Sequence, residues 1–291
     1  MSGVEGNSDS AGFCADLVRS HDFVRYASSL FVPADRRRGL LALYAFHAEI
    51  CRIRDQVSQP LPGEIRLQWW TDMLAAQNRN QDDGGAGGNP VAAELLRAIG
   101  EYRLPVAPLS RLIEEHQFDL YNDPMPTLAA LEGYVTDTSS ALFALAARIA
   151  GPPSAEVEHL ARHAGLAQGF VDVIASLPRD ASRRQLFLPL QILERHGGSA
   201  EEVFSGKQTP NMRASLAQLI GEAQGHLDTA IRLLAEIAPA QRPIFLPLAL
   251  LRRDLDRMSR ADADPFAPRM RSRLSILWTL WRASRSAAFR A

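Results

Sequence analysis

Apolar positions along this chain recur mostly three and four residues apart, the period of helices with one buried face. Leu40, Leu43, Tyr44, His47, Ile50 and Cys51 share such a face, and Arg54 takes the next place on it. Similar spacing predicts helices over residues 15–31, interrupted by Pro33, and over 64–76, 91–100 and 105–121. Asp35 is placed to cap the helix after Pro33. Residues 128–151, small and apolar, read as one tightly packed core helix, and 156–177 as another, closed by Pro178. Phe187-Leu188-Pro189 opens a segment with Ile192 and Leu193 that Gly197-Gly198 stops. The last helices are expected over 212–238, 243–258 and 270–283. Residues 78–90, rich in Gly, Asn and Asp, read as a loop or flexible insert, and 1–12 as a disordered N-terminal arm. Strand-like alternation is almost absent, and no repeat period is visible. The pattern predicts an all-α chain with one domain over 13–291; two smaller helical domains are the alternative.

Composition narrows the function classes. The 291 residues suffice for a large core. A formal charge of -1, from 32 basic and 33 acidic residues, argues against a global nucleic-acid field. Two cysteines, Cys14 and Cys51, give no staple framework, and no CxxC or Cys/His pattern has zinc spacing. The polar, acidic start resembles neither a signal peptide nor an arginine-rich transit peptide, and no apolar run approaches a bilayer span. The expectation is a cytoplasmic protein, with peripheral contact at a membrane left open.

Particular residues add a resemblance. Leu43-Tyr44-Ala45-Phe46 leading to Asp55, then Arg66-Leu67-Gln68-Trp69-Trp70, resembles the squalene/phytoene synthase family. Gly165-x-Ala167-Gln168, followed by Arg183 and Phe187-Leu188-Pro189, is similar to that family's second conserved region. Val57-Ser58-x-Pro60, Gly63-Glu64-Ile65, Thr138-x-Ser140, Ser182-Arg183-Arg184 and His196-Gly197 are similar to its divergent branch, which contains the mitochondrial respiratory complex I assembly factor. The resemblance implies an isoprenoid-synthase-like helical fold with a central cavity. For the family at large it implies Mg²⁺-dependent head-to-head condensation of two allylic isoprenoid diphosphates. For the branch it implies no established prenyl transfer, and a respiratory-complex or assembly partner.

The resemblance also places the site. Metal clamps of two acids four residues apart would fall at Cys51/Asp55 and Ser176/Asp180, where each first acid is replaced. Arg52 and Arg179 stand where the family usually has further acids, so four motif positions are degenerate. Such guanidinium groups repel Mg²⁺ but bind phosphate directly. Asp55, Asp119, Asp172 and Asp180 are the remaining catalytic candidates, with Asp55 and Asp180 as metal ligands if Mg²⁺ binds. Their alternative is helix caps, surface acids or salt-bridge partners. Arg36, in the run Arg36-Arg37-Arg38, together with Arg54, Tyr134, Gln168, Arg183 and Phe187, is implied to contact substrate.

Other polar residues divide between chemistry and packing. His47 and Cys51 lie on the face of Asp55, a line that suits a metal, a nucleophile or a packed core equally. His159 and His163 are four apart and read as a solvated pair. Trp69 and Trp70 read as packing residues, and Leu274, Ile276, Leu277, Trp278, Leu280 and Trp281 as a core, partner or membrane face. Three readings follow: a catalytically degenerate assembly or binding protein, a Mg²⁺-dependent prenyl transferase, and an isoprenoid- or lipid-binding protein without chemistry. Nucleic-acid binding ranks last.

Overall fold

A computed structural model describes residues 2–78, 88–260, 262–267 and 271–290. Among these, every regular element is helical. In chain order they are α1 (Ser2–His21), α2 (Phe23–Ser29), α3 (Ala34–Arg52), α4 (Pro60–Asn78), α5 (Pro90–Tyr102), α6 (Val106–Glu115), α7 (Leu128–Val135), α8 (Ala141–Ala150) and α9 (Ala155–Ser182). There follow α10 (Leu190–Arg195), α11 (Ala200–Phe204), α12 (Pro210–Leu233), α13 (Leu248–Met258) and α14 (Arg273–Ser284). Short 3₁₀ turns at Arg54–Gln56 and Phe118–Leu120 will matter for the site.

The layout follows from which faces are apolar. The long α9 is central, packed by α12, α8 and α13, while α3 packs against α1, α5 and α8. One contiguous core runs from Cys14 to Phe289 and includes the α3 face Leu40, Leu43, Phe46 and Ile50. Caps mark many helix starts: the side chains of Asp22, Asn89, Thr127, Ser154, Ser199, Thr209 and Ser272 each accept an amide of the first turn.

Several expected boundaries move. Helix α1 already runs through residues 2–12, expected to be a disordered arm; buried Cys14 and Val18 anchor its second half, and extension from a formed turn costs little. Asp22 splits the 15–31 helix in two by capping α2. Asp35 lies in the first turn of α3 but caps nothing: the N-cap is Pro33. Residues 79–87, within the expected loop 78–90, lie outside the described residues.

Two corrections concern the core. The expected helix over 128–151 contains a π-helical turn, Thr136–Ser140, between α7 and α8. Gly165 of α9 presses on that turn so closely that a Cβ there would lie 2.3 Å from the backbone of Ser140. Thr138 Oγ1 donates back to the Tyr134 carbonyl at 2.7 Å. Such turns are frequent where a helix lines a functional cavity. Helix α9 does not stop at Pro178 but continues to Ser182. Only one amide is lost there, and one side chain spans the proline: Ser176 donates to Asp180.

Candidate functional site

The ends of α3 and α9, the Phe118–Leu120 turn and the π turn enclose a cavity of about 220 Å³. Its lining includes Cys51, Arg54, Asp55, Asp119, Tyr134, Asp172, Ser176, Arg179, Asp180, Arg183 and Phe187. The fold therefore collects nearly every expected site residue around one space. Arg36 and Arg52 do not line it, and Gln168 faces a neighbouring cavity that shares Arg25 and Asp172 with the first.

Arg36, expected to contact substrate, lies outside this cavity. Its guanidinium sits 5.5 Å from the Tyr102 ring centre and pairs with Asp35 at 3.3 Å. Arg37 donates to the carbonyls of Ser29, Leu30 and Val32, and Arg38 to buried Glu94 at 2.6 and 2.8 Å. The basic run thus ties α3 to α2 and α5. Trp70 packs edge-on against Phe46, as expected of a packing residue, while Trp69 is partly exposed.

Each carboxylate of the cavity already has a partner. Asp55, exposed at the mouth, pairs with Arg183. Asp180 is buried, accepts from Ser176, and takes Arg179 Nε at 3.1 Å. Asp119 accepts from His116 Nδ1 at 2.6 Å and from the Tyr134 hydroxyl at 2.8 Å. Asp172 accepts from Gln168 Nε2 at 2.8 Å. Solvent reaches Asp172, yet the protein hemming it in pushes its pKa up to about 6, against the opposing pull of Arg25.

These residues do not fit the expected Mg²⁺ centre. That ion takes several oxygen ligands in near-octahedral geometry, at about 2.0–2.1 Å. Here a thiol and a hydroxyl stand at the first clamp positions, and arginines hold Asp55 and Asp180, the two expected metal ligands. Among the described residues, the group of three or more His, Cys, Asp or Glu with converging donor atoms is His47, Cys51 and His116.

That trio was only half visible in the sequence. His47 and Cys51 share a face of α3, but His116 caps α6, 65 positions from Cys51. Burial works against charge on His116, but Asp119, then Cys51, outweigh it and push its pKa well above the usual imidazole value. Burial, Arg25 and His116 push that of His47 well below.

Three further lining residues were not anticipated. Arg25 pairs with Asp22 and stays charged, because that carboxylate overrides the cost of burial. Gln185 is buried and donates to the carbonyls of Asp119 and Tyr121, fixing the strand of chain before Phe187. His116 is the third; the only local hint was the acid three residues on, Asp119. Phe187 packs 5.6 Å from the ring centres of both Phe118 and Tyr134 and lines the cavity with Tyr134. Arg54 lines the cavity with a buried Nε that has no hydrogen-bond partner.

Comparison with known proteins agrees with this geometry. Complex I assembly factor 6 of the NADH dehydrogenase (ubiquinone) from Rattus norvegicus is 31% identical over 276 residues, 94% of this chain and 80% of the relative. The phytoene synthase of Thermus thermophilus is 26% identical over 247 residues, covering 83% of this chain and 81% of that one. The crystal structure of squalene synthase HpnC from Alicyclobacillus acidocaldarius superposes with a TM-score of 0.76 at 22% identity, over 86% of this chain and 93% of the other. The squalene/phytoene synthase family model matches residues 18–282, from the second half of α1 to α14 and thus every wall of the cavity; the chain belongs to that family.

Proposed function

We propose that this protein is a catalytically degenerate member of its family with a role in respiratory complex I assembly. The observation that carries this reading is the state of the cavity carboxylates: each is engaged by an arginine, a histidine or a neutral donor. A head-to-head condensation must hold two diphosphates on metal. The likeness to complex I assembly factor 6 across most of the chain supports the assembly role. No described helix is long and apolar enough to cross a membrane. Leu274, Trp278 and Trp281 are exposed on α14 beside Arg282 and Arg285, which supports work at the inner face of a bacterial inner membrane.

Two measurements test the reading. Purified protein with Mg²⁺ and farnesyl or geranylgeranyl diphosphate is expected to release no condensed product, and product formation would sink the degenerate-enzyme half. Deleting the chain in its native host is expected to lower assembled complex I on native gels; unchanged complex I would sink the assembly half. The alternative is a Mg²⁺-dependent prenyl transferase, which the family model and the retained Asp55, Asp119, Asp172 and Asp180 support. It requires condensation activity that is lost in both Asp55→Ala and Asp180→Ala.

A further inference from the structure

We propose that His47, Cys51 and His116 form a binding site for Zn²⁺ or a similar soft divalent ion, with an open coordination position facing the cavity. This site does not depend on the assembly reading, and it replaces the hard-ion chemistry that the first clamp position would have supported.

The donor geometry is the first argument. Cys51 Sγ lies 3.4 Å from His47 Nε2 and 3.7 Å from His116 Nε2. Tetrahedral zinc with a sulfur ligand at ~2.3 Å and nitrogen ligands at ~2.0–2.1 Å separates sulfur from nitrogen by about 3.6 Å. The two observed separations straddle that value. All three donor atoms fall within 4.8 Å of one another. A thiol with two imidazoles is a donor set that suits zinc and excludes Mg²⁺ and Ca²⁺.

The supporting shell is the second. His116 is buried, and its Nδ1 is held by Asp119 Oδ2 at 2.6 Å, which directs Nε2 at the thiol. Tyr134 donates to the other Asp119 oxygen at 2.8 Å and fixes the carboxylate in turn. Metal-ligating histidines are oriented by this carboxylate–imidazole arrangement.

Charge is the third. A Cys51 thiolate and the Asp119 carboxylate together balance a divalent ion. The remaining coordination position opens on a space lined by Arg25, Arg54, Arg179 and Arg183, which favour water or an anion as the fourth ligand.

The test is titration of the metal-free full-length protein with Co²⁺, an open-shell substitute whose spectrum reports its ligands. The expected result is one equivalent bound, with a sulfur-to-cobalt charge-transfer band, visible bands of tetrahedral intensity, and displacement by Zn²⁺. Cys51→Asp is expected to abolish the charge-transfer band, whereas Cys14→Ser, which removes the other thiol, leaves it unchanged. Asp119→Asn should keep the band but weaken binding by about 10- to 100-fold, the usual effect of losing an orienting partner. Circular dichroism on each variant separates loss of ligand from loss of fold. Absence of the band from the parent protein at a large excess of Co²⁺ would overturn the proposal. So would a band that survives in folded Cys51→Asp or disappears in folded Cys14→Ser.

Discussion

Two pairs of side chains, each four residues apart, face one cavity from opposite walls, and the fold treats them differently. Ser176 and Asp180 both lie within α9, which runs on to Ser182. They share a helix face and meet: the serine hydroxyl donates to the carboxylate, and Arg179 takes its other oxygen. Cys51 and Asp55 have the same spacing, but α3 ends at Arg52 and Asp55 falls on the following 3₁₀ turn. The tighter turn carries Asp55 to the mouth, where Arg183 binds it, and leaves Cys51 facing His47 and His116. Spacing predicts a shared face only for as long as the helix lasts. One wall is consequently self-satisfied, while at the other a thiol meets two imidazole rings.

The α9 wall can be broken at its support. Gly165→Ala would drive a Cβ into the Ser140 backbone, which cannot yield without displacing the π turn. Overpacking of this kind costs about 3 kcal/mol. Gly169→Ala meets only the Val135 side chain and should cost about a third as much. Urea unfolding midpoints of the two variants check this; equal losses would mean that the π turn is not the rigid part of that wall.

Next in size is Ser176→Ala. It removes a donor from buried Asp180 while Arg179 stays, so a loss of about 1 kcal/mol is expected in the same assay. A neutral result would mean that Arg179 alone satisfies Asp180, and that the wall is less closed than its hydrogen bonds suggest.

How much of this was legible follows the same division. The buried α3 face from Leu40 to Cys51 could be read from period alone, because apolar spacing reports burial directly. The residues that gather at the cavity came from their resemblance to family motifs, since no local pattern joins positions 55, 119, 134 and 180. What could not be read was tertiary in origin. The π turn depends on a glycine in another helix. Helix α9 outlasts Pro178, with Ser176 donating across the proline to Asp180. His116 gains its meaning from a thiol 65 residues away, and Arg36 is drawn off by Tyr102 and Asp35.

A smaller effect separates the walls by pH. The Asp172 pKa of about 6 exceeds the ordinary carboxyl value of 3.8, so the native state binds more protons than the unfolded chain between these values. Stability contributed by this group therefore falls as pH rises through that window and stays reduced above it. Asp172→Asn should raise Tm at pH 7 and lose that advantage below about pH 4, as followed by thermal melts across pH. A variant less stable than its parent at pH 7 would mean that Arg25 and Gln168 repay the carboxylate in full.

The smallest stability effect is expected at the mouth, where Asp55→Ala removes one partner of a pair whose side chains are 33% and 40% exposed. Solvent screens such a pair, so the change should stay within about 0.5 kcal/mol. The consequence for binding runs the other way. Freed of Asp55, Arg183 joins Arg54 and Arg179 with no carboxylate competing for its guanidinium, and inorganic pyrophosphate should bind more tightly without Mg²⁺. Calorimetry with and without Mg²⁺ distinguishes this from metal-bridged binding. A stability loss as large as that of Ser176→Ala would show that the mouth pair is as much part of the folded framework as the buried one. The two walls would then differ in chemistry but not in construction.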